Sequence, residues 1–375
     1  MRCRALVERT GNPGPYWVKA MTSKVYVLIL NWNNWADTLE CLESVFRSRY
    51  PRFQVILCDN GSTDGSLDYV KAWAEGRLDA QVGSSLPRHQ GSRASLHRPI
   101  RYLERDKQMA ESGGSPDDGA CPLILIQTGQ NAGFGAGNNV GLRYVLARDD
   151  APFVWLLNND TVVAPDALTE LVATLAAKPD AGQCGSTILF YDRPDVVQIC
   201  GGCEYNPWWG SIRALGAERP ASDLPDPEFV ERSMTYVAGA SLLARMGFVQ
   251  TVGLLCEDYF LYFEEMDWAT RGRGRYGLTY APRSLVYHKE GQRSGSSSRP
   301  LSRTASADLF LIRSRILYTR KFQLWALPTV CLGVGVVLLN RMRRRQWARV
   351  MPLIRVAVES LVQKLGAPGR PPPSA

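Results

Sequence analysis

Apolar runs of strand length alternate with helical patterns through the first half of this chain, and that alternation limits its fold more than any other feature. Val25-Tyr26-Val27-Leu28-Ile29-Leu30 carries no charge, as a strand buried on both faces of a parallel sheet requires. A helix follows with Leu39, Leu42, Val45 and Phe46 on one face. Phe53 to Cys58 reads as a second strand and runs through Asp59–Asp64 into a helix from about Gly65. Leu123–Ile126 and Phe153–Leu157 repeat the pattern, the last followed by a helix bearing Leu168, Leu171, Val172 and Leu175. Such alternation predicts an α/β fold, a mostly parallel sheet with helices on both faces. Sheets of this kind bind ligands beyond the carboxyl ends of their strands. Asp59, Asn131 and Asp160 all fall at strand ends, so topology alone predicts that they cluster.

The rest of the chain is organised around this region. Residues 1–22 lack an apolar core of signal-peptide type and read as an N-terminal extension, with Met21 an alternative start. The catalytic domain is expected over 23–300. Within it, residues 76–122 are polar, rich in Gly, Ser and Arg, and read as a flexible insertion. Residues 301–366 are expected to be helical and membrane-associated, and 367–375 disordered. The net charge is +8, and much of the excess sits late, at Arg313, Arg315, Arg320, Lys321, Arg341, Arg343, Arg344, Arg345 and Arg349. That cluster fits an anionic membrane surface; no nucleic-acid partner is expected. The apolar run from Leu324 to Leu339, interrupted by Pro328, would be about 24 Å long as a helix, short of the ~30 Å hydrocarbon core. It is therefore expected to lie in the interface rather than span, with residues 350–365 a second amphipathic helix. Cys200-Gly-Gly-Cys203 has no second pair or nearby histidine to complete a zinc pattern, so the nine cysteines read as reduced thiols of a cytoplasmic protein.

Five segments carry chemistry-bearing residues. Asp59-Asn60-Gly61-Ser62-Thr63-Asp64 can be a turn with Asp64 capping a helix, or a place where Asp59 and Asn60 meet a nucleotide base. The stretch from Gly133 to Gly141 lacks the spacing of a dinucleotide fingerprint or a phosphate loop. It fits close backbone approach to a ligand, with Asn131, Asn138 and Asn139 nearby. Asn158-Asn159-Asp160 closes an apolar strand and is either an Asx turn or a metal carboxylate; a hard cation bridging a diphosphate needs oxygen ligands. Phe263-Glu264-Glu265-Met266-Asp267 packs three carboxylates among Tyr259, Phe260, Tyr262 and Trp268, where burial and like charge would raise a pKa toward that of a general base. His288 ends a strand beside a Gly- and Ser-rich stretch.

Taken in order, these segments resemble glycosyltransferase family 2, in particular its bacterial rhamnosyltransferase-like group. The resemblance rests on Leu30-Asn31-Trp32-Asn33-Asn34, Asp59–Asp64, Asn131–Asn139, Asn158-Asn159-Asp160, Phe263–Asp267 with Arg271, and Val286-Tyr287-His288, and covers about Lys24 to Lys321. It implies a GT-A fold and inverting, metal-dependent hexosyl transfer from a nucleotide-diphosphate sugar to a saccharide or lipid-linked acceptor in cell-surface polysaccharide synthesis. dTDP-rhamnose is the favoured donor. It implies Glu265 as catalytic base, and Asn31, Asp59, Asn60, Asn131, Gly133, Asn138 and Asn159 around the donor. Asp160 and His288 are the implied ligands of Mn²⁺ or Mg²⁺, and Glu264, Asp267 and Trp268 stand on the acceptor side. Where many relatives have Asp, this chain has Glu265, and Asn158 and Asn159 stand where some carry acids. The implied location is peripheral, on the cytoplasmic face of the inner membrane.

Two other readings fit parts of the pattern. A sugar nucleotidyltransferase would need a basic phosphate-binding loop near the N-terminus, and Leu30 to Thr38 holds none. A non-catalytic, membrane-bound sugar-nucleotide-binding protein would use the basic tail without needing Glu265.

Overall fold

Register decides which layer each strand residue joins. The computed structural model describes residues 20–80, 96–289 and 304–363. Strands β1 (Val25–Asn31) and β2 (Phe53–Asp59) flank α1 (Trp35–Phe46), and α2 (Ser66–Ala74) follows. Next come β3 (Tyr102–Asp106), α3 (Lys107–Glu111), β4 (Leu123–Gln127), α4 (Phe134–Arg148), β5 (Phe153–Asn158), β6 (Thr161–Val163) and α5 (Ala167–Ala177). Val25, Val27 and Ile29 of β1, with Val55, Leu57, Leu123, Leu125, Phe153 and Trp155, pack against α1, α2 and α5. The alternate residues Tyr26, Leu28, Ile56, Cys58, Ile124, Ile126, Val154 and Leu156 pack against α4 on the other face. Period-two alternation thus feeds two cores, which is why these strands read as continuous apolar runs. The helix faces expected at Leu39, Leu42 and Val45, and at Leu168, Leu171, Val172 and Leu175, are buried in the first core.

The second half adds β7 (Ala181–Phe190), β8 (Val197–Cys200), β9 (Gly202–Asn206), β10 (Ser211–Ala214), α6 (Pro227–Ser233), β11 (Tyr236–Val237), β12 (Ser241–Arg245), α7 (Met246–Val252), α8 (Glu264–Gly272) and β13 (Gly277–His288). One sheet runs β3-β4-β2-β1-β5-β12-β7-β13-β6, with β8 on β7; a small sheet runs β10-β9-β11. β12 lies antiparallel between β5 and β7, and the left half is parallel throughout.

Residues 96–122 correct part of the expected flexible insertion. They hold β3, parallel to β4, and a buried ion pair between Arg105 and Asp118, to which the Tyr144 hydroxyl donates at 3.1 Å. β3 is an edge strand, so Glu104 and Asp106 can face water and the periodicity that marks an inner strand is lost. Residues 81–95 lie outside the described residues, as do most of the N-terminal extension, the 367–375 tail and the Gly/Ser stretch after Lys289.

The C-terminal helices are α9 (Ala305–Phe322), α10 (Leu327–Arg343) and α11 (Trp347–Val362). They share a small core of Leu309, Ile312, Ile316, Val334, Leu353 and Val356. Pro328 does not interrupt α10, because it sits in the first turn, where a missing N–H costs nothing. With the lead-in turn, Leu324–Arg343 makes 20 helical residues, long and apolar enough to cross a membrane by length and composition. The apolar run from Leu324 to Leu339 is shorter because it ends before the basic last turn of the helix.

Candidate active site

The carboxyl ends of β1, β2 and β5 converge on one polar network. Asn31, fully buried, donates from Nδ2 to Asp59 Oδ1 at 2.8 Å and to the Ser62 hydroxyl at 3.1 Å. Its Oδ1 accepts from Thr38 at 2.9 Å and from Asn159 Nδ2 at 3.1 Å. Asp59 Oδ2 accepts the Ser62 N–H, closing the turn after β2. Asn60 donates to Asn131 Oδ1 at 3.0 Å and to the Gly133 carbonyl at 3.2 Å, tying β2 to the loop after β4. Satisfied on every side, these groups fix the sheet edge rather than wait for a partner. Asp64 stands one residue before the helix boundary and accepts from Ser66 instead of capping from the N-cap position itself. Beside this network Trp32 is half exposed, an aromatic face that polar motif reading passed over.

The glycine-rich stretch has a packing cause. A side chain at Gly133 (φ 94°) would overlap the Phe260 carbonyl. One at Gly137 would meet Leu30 Cδ1 at 2.6 Å, and one at Gly141 would overlap Leu28. α4 therefore lies close on β1 through Gly137 and Gly141, while Gly133 makes room for the Phe260 backbone. Asn138 donates to the Phe134 carbonyl and Asn139 to the Leu255 carbonyl and Glu257, so both amides are spent within the scaffold.

Asp160 and His288 come together as expected: His288 Nε2 lies 3.2 Å from Asp160 Oδ1. Antiparallel pairing of β13 with β6 causes this, matching His288 with Thr161. The other ring nitrogen, Nδ1, lies 3.0 Å from Gln198 Oε1 on β8. With the Nδ1 proton donated there, Nε2 presents a lone pair to a carboxylate oxygen, and a cation shared between them satisfies both. This donor set fits a divalent cation whose remaining ligands come from a diphosphate and water. Among the described residues no group of three or more His, Cys, Asp or Glu side chains could hold a metal by itself. Next to the pair, Lys289 bridges Asp37 at 2.6 Å and Glu40, an ion cluster the sequence did not signal because its members are about 250 residues apart.

Glu265 faces the site from α8. Tyr262 and Phe263, both at positive φ, turn the chain sharply into this helix, a backbone cost that tends to mark functional positions. The Glu265 carboxyl packs on Gly239, where any side chain would overlap it. The carbonyl of the next residue, Ala240, accepts the Asn158 N–H at 3.1 Å, at the end of β5 and two residues before Asp160. Burial pushes the Glu265 carboxyl up to about 7. Glu264 is pushed well above the usual carboxylate range by burial and by Glu265, and its Oε1 has no hydrogen-bond partner.

Asp267 and Trp268 correct the acceptor-side expectation. Asp267 is fully buried and held by Arg271 at 2.6 Å, Lys321 at 2.7 Å and Tyr259 at 3.1 Å. Trp268 is fully buried and donates to the Gly253 carbonyl. Both are scaffold, reached by helical period from the exposed side of α8. Cys200 and Cys203 are buried free thiols on β8 and β9, each raised by burial.

Comparison with known proteins points the same way. A sequence model described as glycosyl transferase family 2 matches residues 26–101 and 115–200. The chain is 28% identical over 221 residues to an N-acetylglucosaminyl-diphospho-decaprenol L-rhamnosyltransferase of Mycobacterium tuberculosis, covering 54% of this chain and 70% of that one. It is 26% identical over 151 residues to a low-salt glycan biosynthesis hexosyltransferase of Haloferax volcanii, 40% of this chain and 46%, less than half, of that one. The crystal structure of GalNAc-T7 with UDP, GalNAc and Mn²⁺ superposes with a TM-score of 0.50 at 12% identity, over 80% of this chain and 48% of that one. At that identity the likeness speaks for the fold, which is GT-A.

Proposed function

The chain belongs to glycosyltransferase family 2, and from that premise we propose that it is an inverting hexosyltransferase acting on a nucleotide-diphosphate sugar. The observation that carries the proposal is the pairing of two opposed devices at one sheet edge. On one side stands a carboxyl, Glu265, tuned to about 7; on the other is the Asp160–His288 pair, suited to a cation.

Glu265, as carboxylate, takes the proton of an acceptor hydroxyl while that oxygen attacks the anomeric carbon. The leaving diphosphate departs on the opposite face, so one displacement inverts the centre. Asp160 and His288 would hold Mn²⁺ or Mg²⁺, which when bound offsets the charge growing on the diphosphate. Gln198 keeps the His288 ring oriented for that task. The network of Asn31, Asp59, Asn60, Asn131 and Asn159 holds the turns that line the nucleotide, and Trp32 offers a face for the base to stack on.

Rhamnose as the sugar, and a saccharide or lipid-linked acceptor, are favoured by the mycobacterial relative, and a dTDP donor by the family resemblance alone. The protein would act peripherally at a cytoplasmic membrane face, through its C-terminal helices. A hydrolysis screen of dTDP-, UDP- and GDP-sugars with Mn²⁺ tests the reading. Slow release of sugar from one donor, abolished by chelator, is expected; binding of a donor with no hydrolysis would leave the non-catalytic reading in its place, and no binding of any donor would overturn both.

A further inference from the structure

The strands β9 and β10 form a hairpin whose tip carries Trp208 and Trp209, both more than half exposed. This tip does not stand alone. The Trp208 ring meets Trp325 edge-on at 4.7 Å, and the backbone of Trp209 lies against Gly333 of α10. α10 then runs on with Pro328, Leu332, Val336 and Leu339 facing outward at helical spacing, all exposed and none charged. α11 repeats this with Trp347, Met351, Ile354, Val358 and Val362. Arg355 and Glu359, paired and exposed, flank the α11 stripe, while the outward residues named on α10 and at the hairpin tip are apolar. Exposed Arg343, Arg344 and Arg345 stand at the edge of this face, between the two helices.

We propose that the hairpin and the outward faces of α10 and α11 form one docking surface for an anionic lipid bilayer, with the hairpin a second contact beyond the tail. Charge selects this occupant: arginines at the rim of an apolar, tryptophan-bearing face match acidic headgroups over an acyl boundary. Geometry makes the contact tangential. α10 is tied at both ends, by the Trp208–Trp325 contact and by the buried Arg341–Asp308 ion pair at 2.6 Å to the first turn of α9, so it lies along the domain instead of projecting from it. The hairpin also links the surface to the site. Tyr205, one pair in from the tip and opposite Ile212, packs edge-on against Phe263, the residue before Glu264, and against Tyr318. A docked protein therefore holds Glu265 at a fixed height above the bilayer. That an acceptor arrives from the bilayer rests on the transferase reading; the surface itself does not.

Sedimentation of the full-length protein with phosphatidylcholine vesicles, with and without phosphatidylglycerol, tests this. Wild type is expected to pellet with the anionic vesicles and to release as salt rises. Replacing Arg343, Arg344 and Arg345 with Gln should weaken binding by about a hundredfold, from roughly fivefold per arginine. Trp208→Ser with Trp209→Ser should weaken it on the order of tenfold and leave donor hydrolysis in solution unchanged. A tryptophan double variant that binds as wild type removes the hairpin from the surface. Wild type that ignores anionic vesicles at low salt, or that light scattering shows to be a dimer closed over this face, overturns the proposal. Vesicle binding that follows this pattern in a protein without donor hydrolysis would sink the transferase reading and leave the surface standing.

Discussion

At the scale of single residues, the proposed base Glu265 and the proposed metal pair Asp160–His288 carry the chemistry. Glu265, Asp160 and His288 were singled out through the family resemblance, since local pattern alone left Glu264, Glu265 and Asp267 equivalent. Gln198, Lys289 with Asp37 and Glu40, and the stacking face of Trp32 were not, since nothing local marks a partner that pairing alone brings near. Replacing Glu265 with Gln keeps the shape and removes the base, so turnover should fall about 10²–10⁴-fold while donor affinity holds. With the carboxyl at about 7, kcat/KM should drop about tenfold per unit as pH falls below that value, because only the carboxylate accepts the proton. The stability sign is opposite. A pKa raised in the folded state favours folding at low pH, and that contribution is lost as pH rises through about 7. Glu265→Gln should therefore gain more in Tm over wild type at about pH 8 than at about pH 5, read by thermal melts in both buffers. On the opposite side, Gln198→Ala should cost about 10–100-fold in Mn²⁺ affinity, by calorimetry with donor present, because His288 loses the group that orients it. Unchanged affinity in Gln198→Ala and in Asp160→Ala together would end the metal assignment.

At the scale of elements, hydrophobic periodicity located the inner strands and the helices α1 and α5, because each of those segments is buried on a fixed face. It missed β3, whose edge position lets polar residues alternate, and it misread the glycines of α4. From the sequence, Gly133 to Gly141 looked like a surface for a ligand. In the fold, Gly137 and Gly141 let α4 settle on Leu30 and Leu28, while Gly133 and Gly135 lie against the segment that leads into α8, at Phe260 and at Cys256 and Glu264. These causes separate by experiment. Gly141→Ala should destabilise by about 1–3 kcal/mol from overpacking, with kcat/KM close to wild type in the protein that remains folded. Gly133→Ala adds strain at positive φ and pushes on the Phe260 backbone, which leads into the Tyr262–Phe263 turn and α8, so it should lower both urea-unfolding stability and kcat. Equal loss of turnover in both variants would return the stretch to a ligand-binding role.

At the scale of the whole molecule, the question is whether the C-terminal helices hold the fold or only place it. Neither of the two sheet cores contains a residue beyond Tyr287, so the ten-stranded sheet is complete before α9 begins. α9 is different from α10 and α11. Its Leu317 and Tyr318 pack with Tyr205, Tyr259, Phe263 and Met266 under the catalytic helix, and Lys321 pairs with the buried Asp267. Removing α9 would strand that carboxylate, and breaking a buried pair by losing one partner costs about 3–5 kcal/mol. By contrast α10 and α11 meet the rest of the molecule through the small core around Ile312 and Val334, the Arg341–Asp308 pair, the bonds from Arg320 to the carbonyls of Ser360 and Gln363, and the hairpin tip at Trp208 and Trp209. Truncation after Gln323 keeps α9 and exposes its outer face and the hairpin tip. The shortened protein should therefore remain folded, with a lower Tm and unchanged near-ultraviolet dichroism from its buried Trp73, Trp155 and Trp268. It should leave the vesicle fraction and still hydrolyse donor. Truncation before α9, at residue 304, should in addition lose hydrolysis, because the turn that presents Glu265 loses the packing of Tyr318 on Phe263. If instead the first truncation unfolds the sheet, the helices belong to the core, and their apolar faces then serve stability ahead of any membrane.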